Sequence, residues 1–376
     1  MKRILFFIES LSGGGAEKVL VTLLKHLDCS QYEVTVMSFV DTGVFKSEID
    51  KSKVNYLPVI NVTKNPLKHI WNKLKYKLIY QYIPCGLVNR WIIPQKGIDI
   101  YVAFTEGFST KLLSYSPGKK VAWVHADLKT DSWTQKSHIY NSLEEEQLVY
   151  QRFNKVVCVS KSVEQVMKEH YHTPHTMTIY NPVDTEDILQ KVVHPSIEVD
   201  STVFNIVSVG RLVPQKGFDR LIAVTGKLIR EGKDVKLYII GEGCERKHLE
   251  SIVQKEGLHN IVHLMGFMSN PFSLMSKMNL FVCSSRAEGY SLAIAEAMVL
   301  GLPIVSTLCA GPNDLLEDGK YGMLVYNNTE AIYNGLCQAI DSPMLLEELR
   351  NKSMMKGKTL GVERMLNQVD ELINKD

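Results

Sequence analysis

Short apolar runs rich in β-branched residues alternate with helix-length amphipathic stretches along the whole chain. The runs occupy 4–8, 34–39, 100–104, 121–124 and 156–159, then 204–209, 235–240, 261–264, 280–283 and 304–306. Near-continuous apolar strands separated by amphipathic helices predict parallel sheets with crossover helices. The alternation pauses around Asn181-Pro182-Val183-Asp184 and the polar 190s, and restarts at Phe204. A chain of 376 residues is long enough for two cores. The pattern therefore predicts an α/β protein of two doubly wound, Rossmann-like lobes. The expected divisions are 1–184, a linker at 185–200, and 201–376, with the last helix packing back on the first lobe.

In such sheets ligands bind outside the carboxyl ends of the strands, so the loops after strands are the places to search. The first is Ser10-Leu11-Ser12-Gly13-Gly14-Gly15, between the opening strand and a helix whose apolar positions Val19, Leu20, Leu23, Leu24 and Leu27 recur at helical spacing. Bare backbone N–H groups at a helix N-terminus suit a phosphate. Two familiar phosphate loops are excluded. The dinucleotide fingerprint needs a glycine where Lys18 stands and an acid after the second strand, where Val36-Met37-Ser38-Phe39 is neutral; a P-loop needs Ser or Thr where Val19 follows Lys18. A nicotinamide oxidoreductase is excluded on the same ground.

In the second lobe, the first strand runs into Gly210-Arg211, with Lys216-Gly217 five residues on. A guanidinium and an ammonium at the carboxyl end of a strand can clamp a diphosphate. The strand at 280–283 leads into a loop, then Ser291 as the N-cap of a helix closing at Gly301, with Pro303 beyond. Glu288 falls at the mouth of that helix and Glu296 in its second turn. The former can accept from sugar hydroxyls and the latter can hold a ribose diol. The N–H groups of Gly289, Tyr290, Ser291 and Leu292 can receive phosphate oxygens.

Net charge is only +2, yet between Lys51 and Ile98 there are nine Lys and Arg and no acid. Within it, Leu67, Ile70, Trp71, Leu74 and Leu78 line one helical face, ringed by Lys64, Lys68, Lys73, Lys75 and Lys77. Such a helix suits an anionic membrane surface, and equally a core-facing position with a solvated basic rim. The near-neutral balance and lack of a binding motif argue against nucleic acid. Cys29, Cys85, Cys158, Cys244, Cys283, Cys309 and Cys337 form no metal-ligand spacing and read as reduced thiols of a cytoplasmic protein. The opening apolar run is short and ends at Glu9, which predicts a buried strand rather than a signal peptide.

Taken in order, five stretches resemble family 4 of the glycosyltransferases, retaining enzymes of the GT-B fold. They are Gly13-Gly14-Gly15-Ala16-Glu17, Asn181-Pro182-Val183-Asp184, Gly210-Arg211 with Lys216-Gly217, Gly241-Glu242-Gly243, and Glu288-Gly289-Tyr290-Ser291-Leu292 with Glu296-Ala297-Met298. The resemblance implies two lobes facing each other across a cleft, with the donor nucleotide on the second. It further implies that Arg211 and Lys216 neutralise the departing diphosphate, Glu296 binds the ribose, Glu288 grips the donor sugar, and the backbone near Met268 meets the base. Gly14 and Gly15 would let the first lobe approach the diphosphate and the reacting sugar. His125, in Trp123-Val124-His125-Ala126-Asp127, would lie near that sugar, with Asp127 its rival. The donor is a nucleotide sugar, UDP-linked by the family's commonest usage, with GDP open. No cofactor or divalent metal is expected. The implied function is transfer of a sugar, with retention, to a lipid-linked saccharide in surface polysaccharide synthesis (capsule, O-antigen or exopolysaccharide), by a cytoplasmic protein resting on the inner face of the plasma membrane through 64–82. A sugar-nucleotide epimerase and a nucleotide-sugar-binding module without turnover are the alternatives.

Overall fold

The computed structural model describes residues 1–28, 30–193 and 198–375; Cys29 and the stretch 194–197 of the expected linker lie outside them. The chain divides into two compact units, Met1–Pro182 with Val362–Asp376, and Val183–Gly361.

The first unit is built on a seven-stranded parallel sheet of β1 (Lys2–Ile8), β2 (Tyr32–Asp41), β3 (Val54–Asn61), β4 (Ile100–Ala103), β5 (Lys119–Val124), β6 (Lys155–Cys158) and β7 (Thr176–Thr178), in the order β3-β2-β1-β4-β5-β6-β7. The second is built on a six-stranded parallel sheet of β8 (Phe204–Val209), β9 (Val235–Ile240), β10 (Val262–Gly266), β11 (Leu280–Cys283), β12 (Ile304–Thr307) and β13 (Met323–Val325), in the order β10-β9-β8-β11-β12-β13. Each run of the hydrophobic pattern forms a strand. Ile4 to Ile8, Val121 to Val124 and Leu280 to Val282 are fully buried because a parallel sheet is covered on both faces.

Three further strands, β3, β7 and β13, escape the pattern, and all three lie at sheet edges. β3 carries Pro58, which an edge strand tolerates because one side of its backbone needs no partner. β7 and β13 are three residues long and half-buried throughout, so neither shows a continuous apolar run.

The segment 185–200 does not begin as a linker. Residues Thr185–Val192 form a helix of the second unit, capped by the Asp184 carboxylate, which accepts from Asp187 N–H at 3.1 Å. Its polar composition is that of a surface helix with one buried anchor, Ile188. Acids stand in its first turn and Lys191 in its last, as the helix dipole favours. The chain returns to the first unit for the helix Glu363–Asn374. There Lys2 Nζ donates to the Ile373 carbonyl at 2.8 Å, and Lys119 Nζ to that of Leu372 at 3.0 Å. Buried Met365, Val369, Leu372 and Ile373 form the apolar side of that helix.

In each sheet the first strand is flanked by strands running onward in opposite directions through the sequence: β1 lies between β2 and β4, and β8 between β9 and β11. At these reversals neighbouring loops diverge and leave a crevice. In the second unit the crevice is pinned by Gly217, at φ +64°, where an added Cβ would stand 2.2 Å from the Ser284 carbonyl oxygen. Gly217→Ala is expected to combine a left-handed backbone penalty with that clash, costing about 2 kcal/mol or more. Calorimetry should show the melting of the unit fall by about 4–8 °C; an unchanged profile would contradict the close approach.

Candidate active site

The two loops at the second reversal bring Lys216 and Glu288 together. After β8, Gly210 leads to exposed Arg211, then to a 3-10 turn, Pro214–Lys216, and the helix Phe218–Arg230. After β11, the chain runs from Ser284 to Ser291 and into the helix Leu292–Val299. Lys216 Nζ donates to Glu288 Oε2 at 2.5 Å, and Ser285 Oγ donates to the same oxygen at 3.0 Å. Ser284 Oγ donates to the Lys216 carbonyl at 2.9 Å, so backbone as well as side chain is tied across the crevice. Arg286 reaches back to make a two-pronged pair with Asp219, at 2.8 and 2.6 Å. Planar, bidentate pairing of this kind fixes orientation as well as distance.

The helix mouth has the predicted form. Ser291 is the N-cap, its Oγ accepting from Ile294 N–H at 3.4 Å, and Gly301, at φ +70°, follows the last turn. Glu296 lies within the helix, and its residue is only 6% exposed. Gly289 is approached so closely by Gly311 that a Cβ on the latter would stand 2.6 Å from the Gly289 carbonyl carbon. The Glu288 carbonyl accepts from Gly311 N–H at 2.9 Å, which holds the loop against the next crossover. Tyr290 and Ser291 are buried, and Leu292 is half-buried. Met268 is half-buried beyond β10, where Gly241 N–H donates to the Gly266 carbonyl at 2.9 Å. Among the described residues no group of three or more metal-ligating side chains forms.

The first unit has a crevice of its own, at the reversal between β1 and β4. Of its three consecutive glycines only Gly13 needs to be glycine for its backbone, with φ +109°. Gly14 is an extended N-cap and Gly15 opens the helix Gly15–His26. A Cβ on Gly14 would meet the Glu17 carboxylate at 2.3 Å, the movable end of a side chain. Two acids that the pattern did not single out stand beside this loop. Glu9 directly follows β1, and Glu106 follows β4. Burial pushes each carboxyl up to about 7 from an ordinary 4.5, and each feels the charge of another acid, Glu9 that of Glu106 and Glu106 that of Glu146. The only signal in the sequence is an acid just past an apolar run, which is informative only once the strand order is known.

His125 follows β5, with its ring 5.2 Å from that of Phe104 and stacked at 12° to Trp123. Both ring nitrogens are shielded from water and lack a well-formed hydrogen bond. Burial holds its pKa down to about 3, so the imidazole is neutral at physiological pH. Asp127 is differently occupied: its carboxylate accepts from Lys129 N–H, Thr130 N–H and, at 2.6 Å, Thr130 Oγ1. It shapes its own turn, which leaves His125 the freer group.

One premise of the sequence reading needs correction. β2 runs on to Asp41, so an acid does stand at its end. It is engaged by Lys46 at 2.7 Å and by the Tyr56 hydroxyl at 3.1 Å, and Lys18 still replaces the third glycine of the dinucleotide fingerprint.

The raised carboxyls make stability depend on pH in a definite direction. Between pH 4.5 and 7 folded Glu9 retains a proton that the unfolded chain has released, so its contribution to stability falls as pH rises. Glu9→Gln is expected to gain on the parent chain by up to about 3 kcal/mol across that window and to level off above it. Denaturant unfolding at stepped pH measures this; a difference flat in pH would contradict a titrating buried acid.

Two family models match the chain in succession: Glycosyltransferase Family 4 over residues 13–187 and Glycosyl transferases group 1 over residues 203–342. The N-acetylgalactosamine-N,N'-diacetylbacillosaminyl-diphospho-undecaprenol 4-alpha-N-acetylgalactosaminyltransferase of Campylobacter jejuni is 28% identical over 370 residues, 95% of each chain. The poly(ribitol-phosphate) alpha-N-acetylglucosaminyltransferase of Staphylococcus aureus is 28% identical over 183 residues, 47% of this chain and 37% of that one. Among solved structures, Anabaena Alr3699/HepE in complex with UDP and glucose superimposes with a TM-score of 0.75 at 19% identity, covering all of both chains. The paired sheets have the GT-B fold, and the chain belongs to the family 4, group 1 glycosyltransferases.

Proposed function

We propose that this glycosyltransferase moves a sugar from a UDP-sugar to a lipid-linked saccharide, with retention, in the synthesis of a bacterial surface polysaccharide. The observation that carries the donor site is the 2.5 Å contact of Lys216 with Glu288 at the second reversal, beside the capped helix Leu292–Val299. A lysine and a glutamate that hold each other in this way are placed to receive a diphosphate and a sugar hydroxyl respectively. Arg211, exposed on the same loop, adds the second cation. The N–H groups from Gly289 to Leu292 take phosphate oxygens at the positive end of the helix. Glu296 takes the ribose, and the backbone at Met268 the base.

In the reaction the acceptor hydroxyl oxygen bonds to the anomeric carbon as the bond from that carbon to the β-phosphate oxygen breaks. The acceptor proton passes to the departing phosphate on the same face. Arg211, Lys216 and the helix terminus then stabilise the charge that develops on the leaving group, the largest contribution available without a metal. By the family resemblance, neutral His125 is assigned to the donor sugar, and Gly14 and Gly15 to backbone that carries no side chain where the substrate passes. The diphospho-undecaprenol in the name of the Campylobacter relative and the UDP and glucose in the Anabaena complex support this choice of acceptor and donor.

Membrane docking rests on the helix Pro66–Lys77 and the turn after it. No residue of this helix is buried: Leu67 is 79% exposed and Trp71 68%. That disfavours the core-facing alternative for its apolar face. Trp91, also 70% exposed, lies on the following helix Cys85–Ile92. Among the described residues no helix is long and apolar enough to cross a membrane. An exposed Trp and Leu face ringed by lysines fits an anionic bilayer surface, each lysine contributing about 1 kcal/mol.

A thermal-shift panel of UDP-, GDP- and ADP-sugars tests the donor. Stabilisation by UDP compounds is expected, and Arg211→Ala or Lys216→Ala should weaken UDP binding by about tenfold or more, the loss of one charge-assisted contact. If no nucleotide sugar stabilises the chain, the proposal fails. Release of UDP only in the presence of acceptor separates transfer from epimerisation, and the anomeric configuration of the product tests retention. For docking, the chain should sediment with phosphatidylglycerol vesicles and not with phosphatidylcholine vesicles. Trp71→Ser combined with Lys68→Gln and Lys73→Gln should weaken that association by about a hundredfold.

A further inference from the structure

Glu106 ties together the loops that follow two neighbouring strands. It stands just past β4, its residue only 5% exposed, and its Oε1 accepts from the backbone N–H groups of both His125 and Ala126, the latter at 2.5 Å. Those are the first residues beyond β5, which pairs with β4. A single carboxylate oxygen receiving two consecutive N–H groups fixes the backbone at the point where the His125 side chain departs.

We propose that Glu106 is a positioning residue for His125: its ionised carboxylate clamps the His125–Ala126 backbone, and proton uptake by Glu106 loosens that hold. The consequence for catalysis rests on the reading of His125 as a sugar-binding group; the clamp itself does not.

The groups facing Glu106 make its charge finely balanced. Glu9 approaches from the end of β1, Glu146 and Tyr150 from the helix Leu143–Tyr150, Cys158 from the end of β6, and Tyr171 from beyond the helix Lys161–Glu169. His125 is the sixth and is neutral. None of these supplies a positive charge. Burial and the neighbouring acids disfavour the carboxylate, whereas three backbone donors, its own N–H and those of Ala126 and His125, favour it. These opposed effects leave Glu106 titrating at about 7, where a small change in surroundings moves the proton. Glu9 shares the same environment but has an Oε1 without a partner, so Glu106 is the better equipped of the two to hold a single charge.

Hydrogen exchange of the full chain, without ligand, tests the clamp. Protection factors for a peptide covering His125 and Ala126 remove the intrinsic pH dependence of exchange. In the parent chain protection is expected to fall about tenfold from pH 8 to pH 6 as Glu106 takes up its proton. In Glu106→Gln, whose amide oxygen can still accept but does not titrate, protection should be flat across that range. In Glu106→Ala it should be lowered at least tenfold throughout. With UDP-glucose as the substrate of a hydrolysis assay, Glu106→Gln should lose the parent's pH dependence in kcat while KM stays within about twofold. Parent protection that does not vary with pH, or a Glu106→Gln profile that follows the parent's, overturns the proposal. So does unchanged protection in Glu106→Ala; should that variant not fold, the parent and Glu106→Gln decide. A chain that binds no UDP would defeat the proposed UDP donor, and the exchange result would still judge the clamp.

Discussion

The reversal of strand order beside β1 and beside β8 is the constraint on which both candidate crevices depend. In a parallel sheet every strand delivers its following loop to the same edge, and where successive crossovers turn in opposite directions two such loops are left without a helix between them. In the second unit those loops carry Lys216 and Glu288, 72 residues apart in sequence and 2.5 Å apart in space. In the first unit they carry Glu9 and Glu106. One topological rule, applied twice, creates two places where polar side chains gather at the end of a buried apolar strand.

The two crevices differ in how they treat charge. In the second unit two acids near the crevice have a cation at hand: Lys216 meets Glu288, and Arg286 meets Asp219. Paired charges of this sort tolerate partial burial and can exchange one partner for an anionic ligand. In the first unit burial, reinforced by neighbouring acids, makes Glu9 and Glu106 hold their protons more tightly. One crevice thus holds paired charges, and the other holds carboxyls that titrate at about 7 without a cation beside them among the described residues.

Much of the fold could be read from the chain because fully buried parallel strands leave continuous apolar runs. The edge strands β3, β7 and β13 could not, because half-exposed backbone places no such demand on side chains. The helix Thr185–Val192 was hidden in polar composition for a related reason: a surface helix with one buried residue has almost no apolar stripe. Ser291 as a cap and Gly301 as a terminator were legible, since capping is local chemistry set by a residue and its immediate neighbours.

By itself the sequence determined the parallel α/β class, the glycine loop, the basic amphipathic helix and the order of the motifs along the second unit. These follow from periodicity, backbone freedom and short-range spacing. Only the tertiary structure decided that Lys216 binds Glu288, that Glu106 holds the backbone of His125, and that Asp127 is engaged in its own turn. Those contacts depend on strand order, and strand order is settled by how whole faces of helices and sheets pack, a property that no local stretch of residues contains.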